Sequence, residues 1–466
     1  MSLRGVLRYI PMAFALSACI GPVDAPRTSL PVSSETPTRM AQPAPTSLPA
    51  MKVFARALPQ APLRANSDMA RDFLDLYFQL ESGRDLPVFT RFEGPIRVSV
   101  SGTPTQGMVD DLGRLLKRLR AEAGIDIDFG KSASQITVQA VSSAQIRRYL
   151  PQAACFVVPG ITRLSQYHAA RRRGDTDWAR LDTRRRIAIF VPVDVTPQEA
   201  RDCLHEELAQ ALGPLNDLYR LPDSTFNDDN MHAVLTGFDM LMLRATYAPE
   251  LRSGMTRAQV AAALPALLSR LNPEGDGRLS RPLGRTPQDW TRAIQTALGP
   301  DAEDRDRIRA AQQALTIAGR EGWQDHRLAF AHFVMARMVQ PTDRRAAHAH
   351  LTHALKLYRA RPDTAPHAAH VAAQLAAHAI RGQDGDRALA LLQGQADVAR
   401  RGENAALLAS IQLLRAEALE LTGRSPAATS VRLDSLGWAR YGFGPDWAVR
   451  AKLNEIAALR PNDIRG

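Results

Sequence analysis

The stretch Cys203-Leu-His-Glu-Glu-Leu-Ala-Gln-Ala-Leu-Gly-Pro-Leu-Asn-Asp217 gathers more side chains able to do chemistry than any other part of this chain. Residues four apart on a helix share a face, so Glu206 and Gln210 point the same way and Glu207 lies beside them. A glutamate in such a place can act as general base on a bound, polarised water, which makes Glu207 the candidate catalytic group. Zinc would need three protein ligands, usually imidazole or carboxylate, with one position left open. Two histidines one turn apart would begin such a set, but Ala209 stands four residues after His205. Starting instead from Glu206, the set is Glu206, Gln210 and then Asn216 or Asp217. An amide is a poor zinc ligand, and oxygen donors of this kind suit a hard cation such as calcium. No metal site is assigned and no cofactor is expected; a divalent cation, zinc or calcium, is the alternative. Glu206 and Glu207 also have a plain reading as an exposed helix face.

The elements around this stretch are locally well marked. Thr196, Pro197 and Glu199 form a capping box with proline in the first turn, so a helix starts there. It is expected to run to about Leu212 and to stop at Gly213-Pro214. Leu204, Leu208, Ala211 and Leu212 are its apolar face. Upstream, strands are expected at 96–100, 125–129, 135–141, 155–158 and 186–191. Helices should open at Ser67, at Thr103-Pro104 (with a Leu112, Leu115, Leu116, Leu119 stripe running to Ala123) and near Ser143. Downstream, the oxygen-rich loop Asp223–Asn230 reads as turn residues before a helix from about Met231 to Tyr247, and His232 within it as a surface residue. This is a mixed α+β domain over about 67–275, without a regular βαβ repeat. No glycine-rich phosphate loop is present, so nucleotide binding has no support.

No strand is expected beyond about residue 275. Residues 285–460 read as Ala-rich amphipathic helices, the first capped at Thr286-Pro287, forming an all-α helical-hairpin domain. Segments 345–351, 387–392 and 426–431 recur about every forty residues, and each opens the second helix of a hairpin. The pattern resembles tetratricopeptide repeats in style, although the consensus is not met; a plain helical bundle is the alternative. His332, His348, His350, His353, His367 and His370 read as exposed or groove-lining residues, because neither carboxylate nor cysteine accompanies them.

Several of these segments also carry a family resemblance: Cys155-Phe-Val-Val-Pro-Gly160, Cys203 with the Glu206–Gly213 core, Asn216-Asp217, Phe226-Asn-Asp228, and Asp239, Tyr247 and Gly254-Met255. Together they resemble an uncharacterised family of bacterial secreted or lipoprotein domains of unknown function, over roughly 70–270. That family looks related to zincin metallopeptidases, whose helix reads H-E-L-x-H-A-L-G. The resemblance implies a zincin-like fold. This chain departs from the peptidases at both helix histidines, where Glu206 and Gln210 stand, so the resemblance carries no established activity.

The N-terminus gives an address. Arg4 and Arg8 precede an apolar run closed by Leu16-Ser17-Ala18-Cys19. The run is too short for a membrane-spanning helix and fits a secretory signal. Its ending resembles the bacterial lipobox, which implies removal of residues 1–18 and a lipid on Cys19. Ile20 rather than aspartate implies the periplasmic face of the outer membrane. Residues 19–66, with nine prolines from Pro22 to Pro62, read as a tether.

The formal net charge is +11, almost all of it from arginine, densest at Arg171–Arg173 and Arg184–Arg186. No nucleic-acid motif accompanies it, and nucleic acid is not expected as a partner; the arginines read as a solvated surface. Of three cysteines, Cys19 is assigned to lipid, which leaves Cys155 and Cys203 to pair as a disulfide in an oxidising compartment. The expected function is a lipid-anchored envelope scaffold that binds an envelope protein or peptide, with a divergent metal-dependent hydrolase using Glu207 as the alternative.

Overall fold

The computed structural model describes residues 47–55, 60–130, 134–299 and 302–460. The stretch read as a signal sequence, Cys19 and most of the stretch read as a tether lie outside the described residues. The first half of the body is a five-stranded mixed sheet with helices around it. Its strands are β1 (Ile96–Gly102), β2 (Ile127–Phe129), β3 (Ile136–Val141), β4 (Phe156–Pro159) and β5 (Ile187–Pro192). They lie in the order β2-β1-β3-β5-β4, with β4 antiparallel to β5 and the other pairs parallel. β5 is buried along its whole length, as suits a strand covered on both faces.

The helices of this half are α1 (Asn66–Tyr77), α2 (Gln106–Ala123), α3 (Ser143–Tyr149), α4 (Tyr167–Arg173), α5 (Pro197–Leu212), α6 (Gly237–Thr246) and α7 (Arg257–Leu271). Two boundaries differ from expectation. The cap of α2 is Thr105, whose hydroxyl accepts from Met108 N, rather than Thr103. α6 begins at Gly237 instead of Met231, because Thr236 and Asp239 form a capping box that fixes the start there. α5 has the predicted ends: Thr196 Oγ1 accepts from Glu199 N, Glu199 returns the bond to Thr196 N, and Gly213 closes the last turn. α5 packs on α2, β4 and β5.

The second half is helical throughout its described residues: α8 (Gln288–Leu298), α9 (Asp304–Arg320), α10 (His326–Val339), α11 (Arg344–Arg359), α12 (Ala365–Arg381), α13 (Gly385–Leu392), α14 (Gln395–Arg401), α15 (Ala405–Leu421), α16 (Ser425–Phe443) and α17 (Asp446–Ala457). The three recurring segments open α11, α13 and α16, each packed against an earlier helix: α10, α12 and α15 respectively. α8 follows Thr286-Pro287 as expected, but without a side-chain cap; the Thr286 hydroxyl instead faces Arg327.

The halves share apolar and polar surface. Tyr219 and Met231, from the loop after α5, pack with Trp290, Ile294 and Phe330 of the helical half. Gln198 on α5 donates to Asn404 and accepts from Ala406 N. The Tyr441 hydroxyl on α16 donates to Asp111 on α2 at 2.8 Å.

Part of the stretch read as a tether lies against the body. Lys52 N donates to Gly437 O, the Phe54 ring stacks on Trp438 at 4.6 Å, and Arg440 donates to Pro49 O. Further on, the Gln60 carbonyl crosses Gly237, where an added Cβ would stand 1.8 Å from that oxygen. Phe54 supplies the apolar anchor that the composition of the segment as a whole conceals.

Candidate functional site

The helix α5 presents its chemistry toward the loop that follows it. Glu207 is fully buried (0% exposed), and neither carboxyl oxygen has a hydrogen-bond partner. This removes the reading of Glu207 as part of an exposed face; Glu206 beside it is partly exposed. Burial, and then the nearby charge of Asp217, push the Glu207 carboxyl well above the usual carboxylate range.

Asp217 in turn is hydrogen-bonded to Glu81, from the turn after α1. Two carboxyls can share a hydrogen bond only if one of them carries the proton. Burial, then Asp217, Asp228 and Glu206, push Glu81 well above its usual range. Asp228 is raised to about 8, mainly by burial and then by Asp217, although it accepts hydrogen bonds from Tyr219 and from Gln295 on α8. Five carboxyls thus influence one another at the end of α5: Glu207 buried, and Glu81, Glu206, Asp217 and Asp228 partly exposed.

The loop 214–230 that carries two of these acids is held firmly. Asn216 does not face the cluster as a ligand; its amide donates to Asp75 O at 2.9 Å and pins the loop to α1. Arg220 bridges Asp72 and Asp75, both at 2.8 Å, and Arg257 reaches Asp75 from α7. Ser224 and Thr225 bond to Asp239 at the start of α6. Asn227 and Asp229 accept from N–H groups two residues on, the turn role expected of this loop. Asp228 and Asn230 take the left-handed backbone, with φ of 58° and 55°, which short polar side chains tolerate.

Arg184 fixes the C-terminal end of α5. It is buried, not part of a solvated arginine surface as the sequence suggested; Arg185, Arg186 and Arg171–Arg173 are exposed. Its guanidinium donates to Gln210 O and Gly213 O, and its Nε to Thr90 Oγ1. Burial lowers it to about 10, and it stays charged where the helix dipole is negative. Gly213 lets Tyr77 close in, since an added Cβ there would lie 2.6 Å from the Tyr77 hydroxyl.

His205 is buried, with Nδ1 accepting from Leu235 N, and burial holds it well below the usual histidine range. Its role is to fix the segment before α6. Gln210 is buried on the same helix. No three His, Cys, Asp or Glu side chains among the described residues are arranged to hold a metal ion. Cys155 and Cys203 form the expected disulfide, joining the residue before β4 to α5.

Three histidines depart from their sequence reading. His367 is fully buried and bonds Asp229, His370 is also buried, and His232 is partly buried with Nε2 at 2.8 Å from Pro222 O. They belong to the seam between the halves, where each finds an apolar or polar neighbour. His332, His350 and His353 do sit together on α10 and α11, with His332 Nδ1 and His350 Nδ1 2.8 Å apart.

Glu81 is the functional candidate that sequence reasoning missed. It lies in a turn outside every motif, and only the fold brings it to Asp217. Residues 66–266 match a family model described as "Protein of unknown function (DUF2927)". The match takes in the whole sheet, α5 and the acidic loop, and agrees in extent with the family resemblance read from the sequence. No curated protein matches the chain.

Proposed function

We propose that the protein is a cell-envelope lipoprotein, anchored through Cys19, whose 66–266 domain binds an envelope peptide or protein partner instead of cutting it. In this reading the domain is a zincin-like scaffold that has exchanged its metal-gripping helix for Glu206 and Gln210. The helical half serves as a tetratricopeptide-like support. One observation carries the reading. Glu207, at the place of a general base, is buried with neither oxygen hydrogen-bonded, and burial and then the charge of Asp217 push its carboxyl well above the usual carboxylate range. A general base must be ionised to take a proton from water, and both of these causes work against the ionised form. The anchoring part of the proposal is supported by the lipobox-like ending at Cys19 and by the Pro-rich stretch after it. No helix among the described residues is long and apolar enough to cross a membrane.

Elemental analysis of the purified full chain, together with mass spectrometry of peptide mixtures incubated with it, tests the binding role. Intact peptides and no stoichiometric metal are expected. Stoichiometric zinc lost on Glu206→Ala, with peptide cleavage lost on Glu207→Gln, would overturn it. Labelling of cells with palmitate tests the anchor: label on the wild type and none on Cys19→Ser.

The second reading, a divergent hydrolase, is favoured by the Glu207–Asp217–Glu81 set. Carboxyls close enough to influence one another are how a proton is shared between two acids in some active sites. The cleavage assay separates the two.

A further inference from the structure

The surroundings of the acidic cluster differ from those of other buried acids in this chain. Asp72 and Asp75 are matched by Arg64, Arg220 and Arg257. Asp229 meets His367, Asp111 meets Arg114 and Tyr441, and Glu417 meets Arg432 and Arg460. With 59 Lys and Arg against 48 Asp and Glu, arginine is plentiful. Yet the charge that bears on buried Glu207 is that of another acid, Asp217, and the groups that bear on Glu81 are Asp217, Asp228 and Glu206. Both Glu207 oxygens are without a hydrogen-bond partner. A buried carboxyl left so is unusual and calls for an explanation.

We propose that this cluster receives an organic cation, a primary ammonium or guanidinium group, with the unpartnered Glu207 carboxyl as its innermost acceptor and the partly exposed Glu81, Glu206, Asp217 and Asp228 around it. The proposal rests on the reading of the 66–266 domain as a binding module, and names the chemistry that module takes. Carboxylates are acceptors only, and ammonium and guanidinium groups are donors only, with three and five N–H bonds to place. No three His, Cys, Asp or Glu side chains among the described residues are arranged to hold a metal ion, which favours the organic cation over a divalent ion. Gln295 of α8 donates to Asp228, so the helical half builds one wall of the site. The same chemistry is carried by a free polyamine and by the lysine or arginine side chain of a peptide.

Isothermal titration of the full chain with agmatine, with the capped peptide acetyl-Gly-Lys-Gly-amide and with calcium chloride tests it. The expected result is saturable binding of agmatine, of the peptide or of both, weakened by about tenfold or more in Glu207→Gln and in Asp217→Asn. Agmatine alone would point to a free amine; the peptide would point to a side chain. Glu207→Gln keeps the shape of the protonated acid, and Asp217 is partly exposed, so circular dichroism is expected to show both variants folded. The proposal is overturned by no binding of either organic cation, by saturation with calcium alone, or by equal affinity in both variants. Mass spectrometry of the recovered peptide reads the binding-module proposal separately, since cleavage would end that reading and leave the cation preference standing.

Discussion

Nε2 of His367 on α12 lies 2.7 Å from Oδ2 of Asp229, in the loop that follows α5, and both side chains are buried between the two halves of the chain. Burial works against ionisation of Asp229, but the His367 and His232 rings and the Met231 N–H outweigh it and hold the carboxyl below its usual range. A carboxyl whose folded value is depressed adds stability above its unfolded value, about pH 4, and loses it as the pH falls through the folded value. Asp229→Asn is therefore expected to cost about 2–4 kcal/mol at neutral pH. The gap to wild type should narrow on acidification. Urea unfolding followed across the acid range checks both the sign and the window.

Glu207 and Asp228 carry the opposite sign. Their folded values are raised, to about 8 for Asp228, so the native state holds protons that the unfolded chain has released. Their contribution is fully present below about pH 4 and is lost as the pH rises toward the folded values. Glu207→Gln removes the penalty and is expected to stabilise the protein by about 1–3 kcal/mol at about pH 8, and by almost nothing at about pH 4. Denaturation midpoints of variant and wild type at the two pH values measure it; a destabilised variant at the higher pH would contradict the assignment.

Arg184→Met should destabilise by about 2–4 kcal/mol, because it leaves the Gln210 and Gly213 carbonyls buried without their donor. Arg184→Lys should recover only part of this, since an ammonium cannot span two carbonyls and Thr90 as the planar fork does. Chemical denaturation of the three proteins side by side gives the comparison.

Replacing Cys155 and Cys203 by alanine opens a link across 48 residues. Loop entropy alone assigns about 3–4 kcal/mol to such a link. The expected outcome is a lower denaturation midpoint for the double variant under oxidising conditions. Equal midpoints for variant and fully reduced wild type would confirm that the loss belongs to the disulfide.

What could be read in the sequence was local. Thr196, Pro197 and Glu199 sit within four residues, so the start of α5 follows from capping chemistry alone. The Cys155–Cys203 pair followed from counting thiols once Cys19 was set aside. The recurring segments that open α11, α13 and α16 were visible because helix starts repeat their composition. Glu81, Arg184 and His367 were not legible in the same way. Arg184 stands beside two exposed arginines and differs from them only in facing α5 across the fold. His367 meets Asp229 across 138 residues, and Glu81 reaches Asp217 across more than a hundred. Such partners are chosen by tertiary packing, and nothing in their immediate neighbours announces it.

Tyr219 and Met231 lie inside the span matched to the family, yet their apolar contacts are with Trp290, Ile294 and Phe330 beyond it. A fragment cut to the matched boundaries would expose an aromatic ring and a thioether to water, and would leave the Asp229 carboxylate without its His367 partner. It would be expected to self-associate or to soften around the loop that bears Asp217 and Asp228. The unit of inheritance and the unit of folding therefore differ here, and a related sequence lacking these ten helices would need another lid, or polar replacements at 219 and 231.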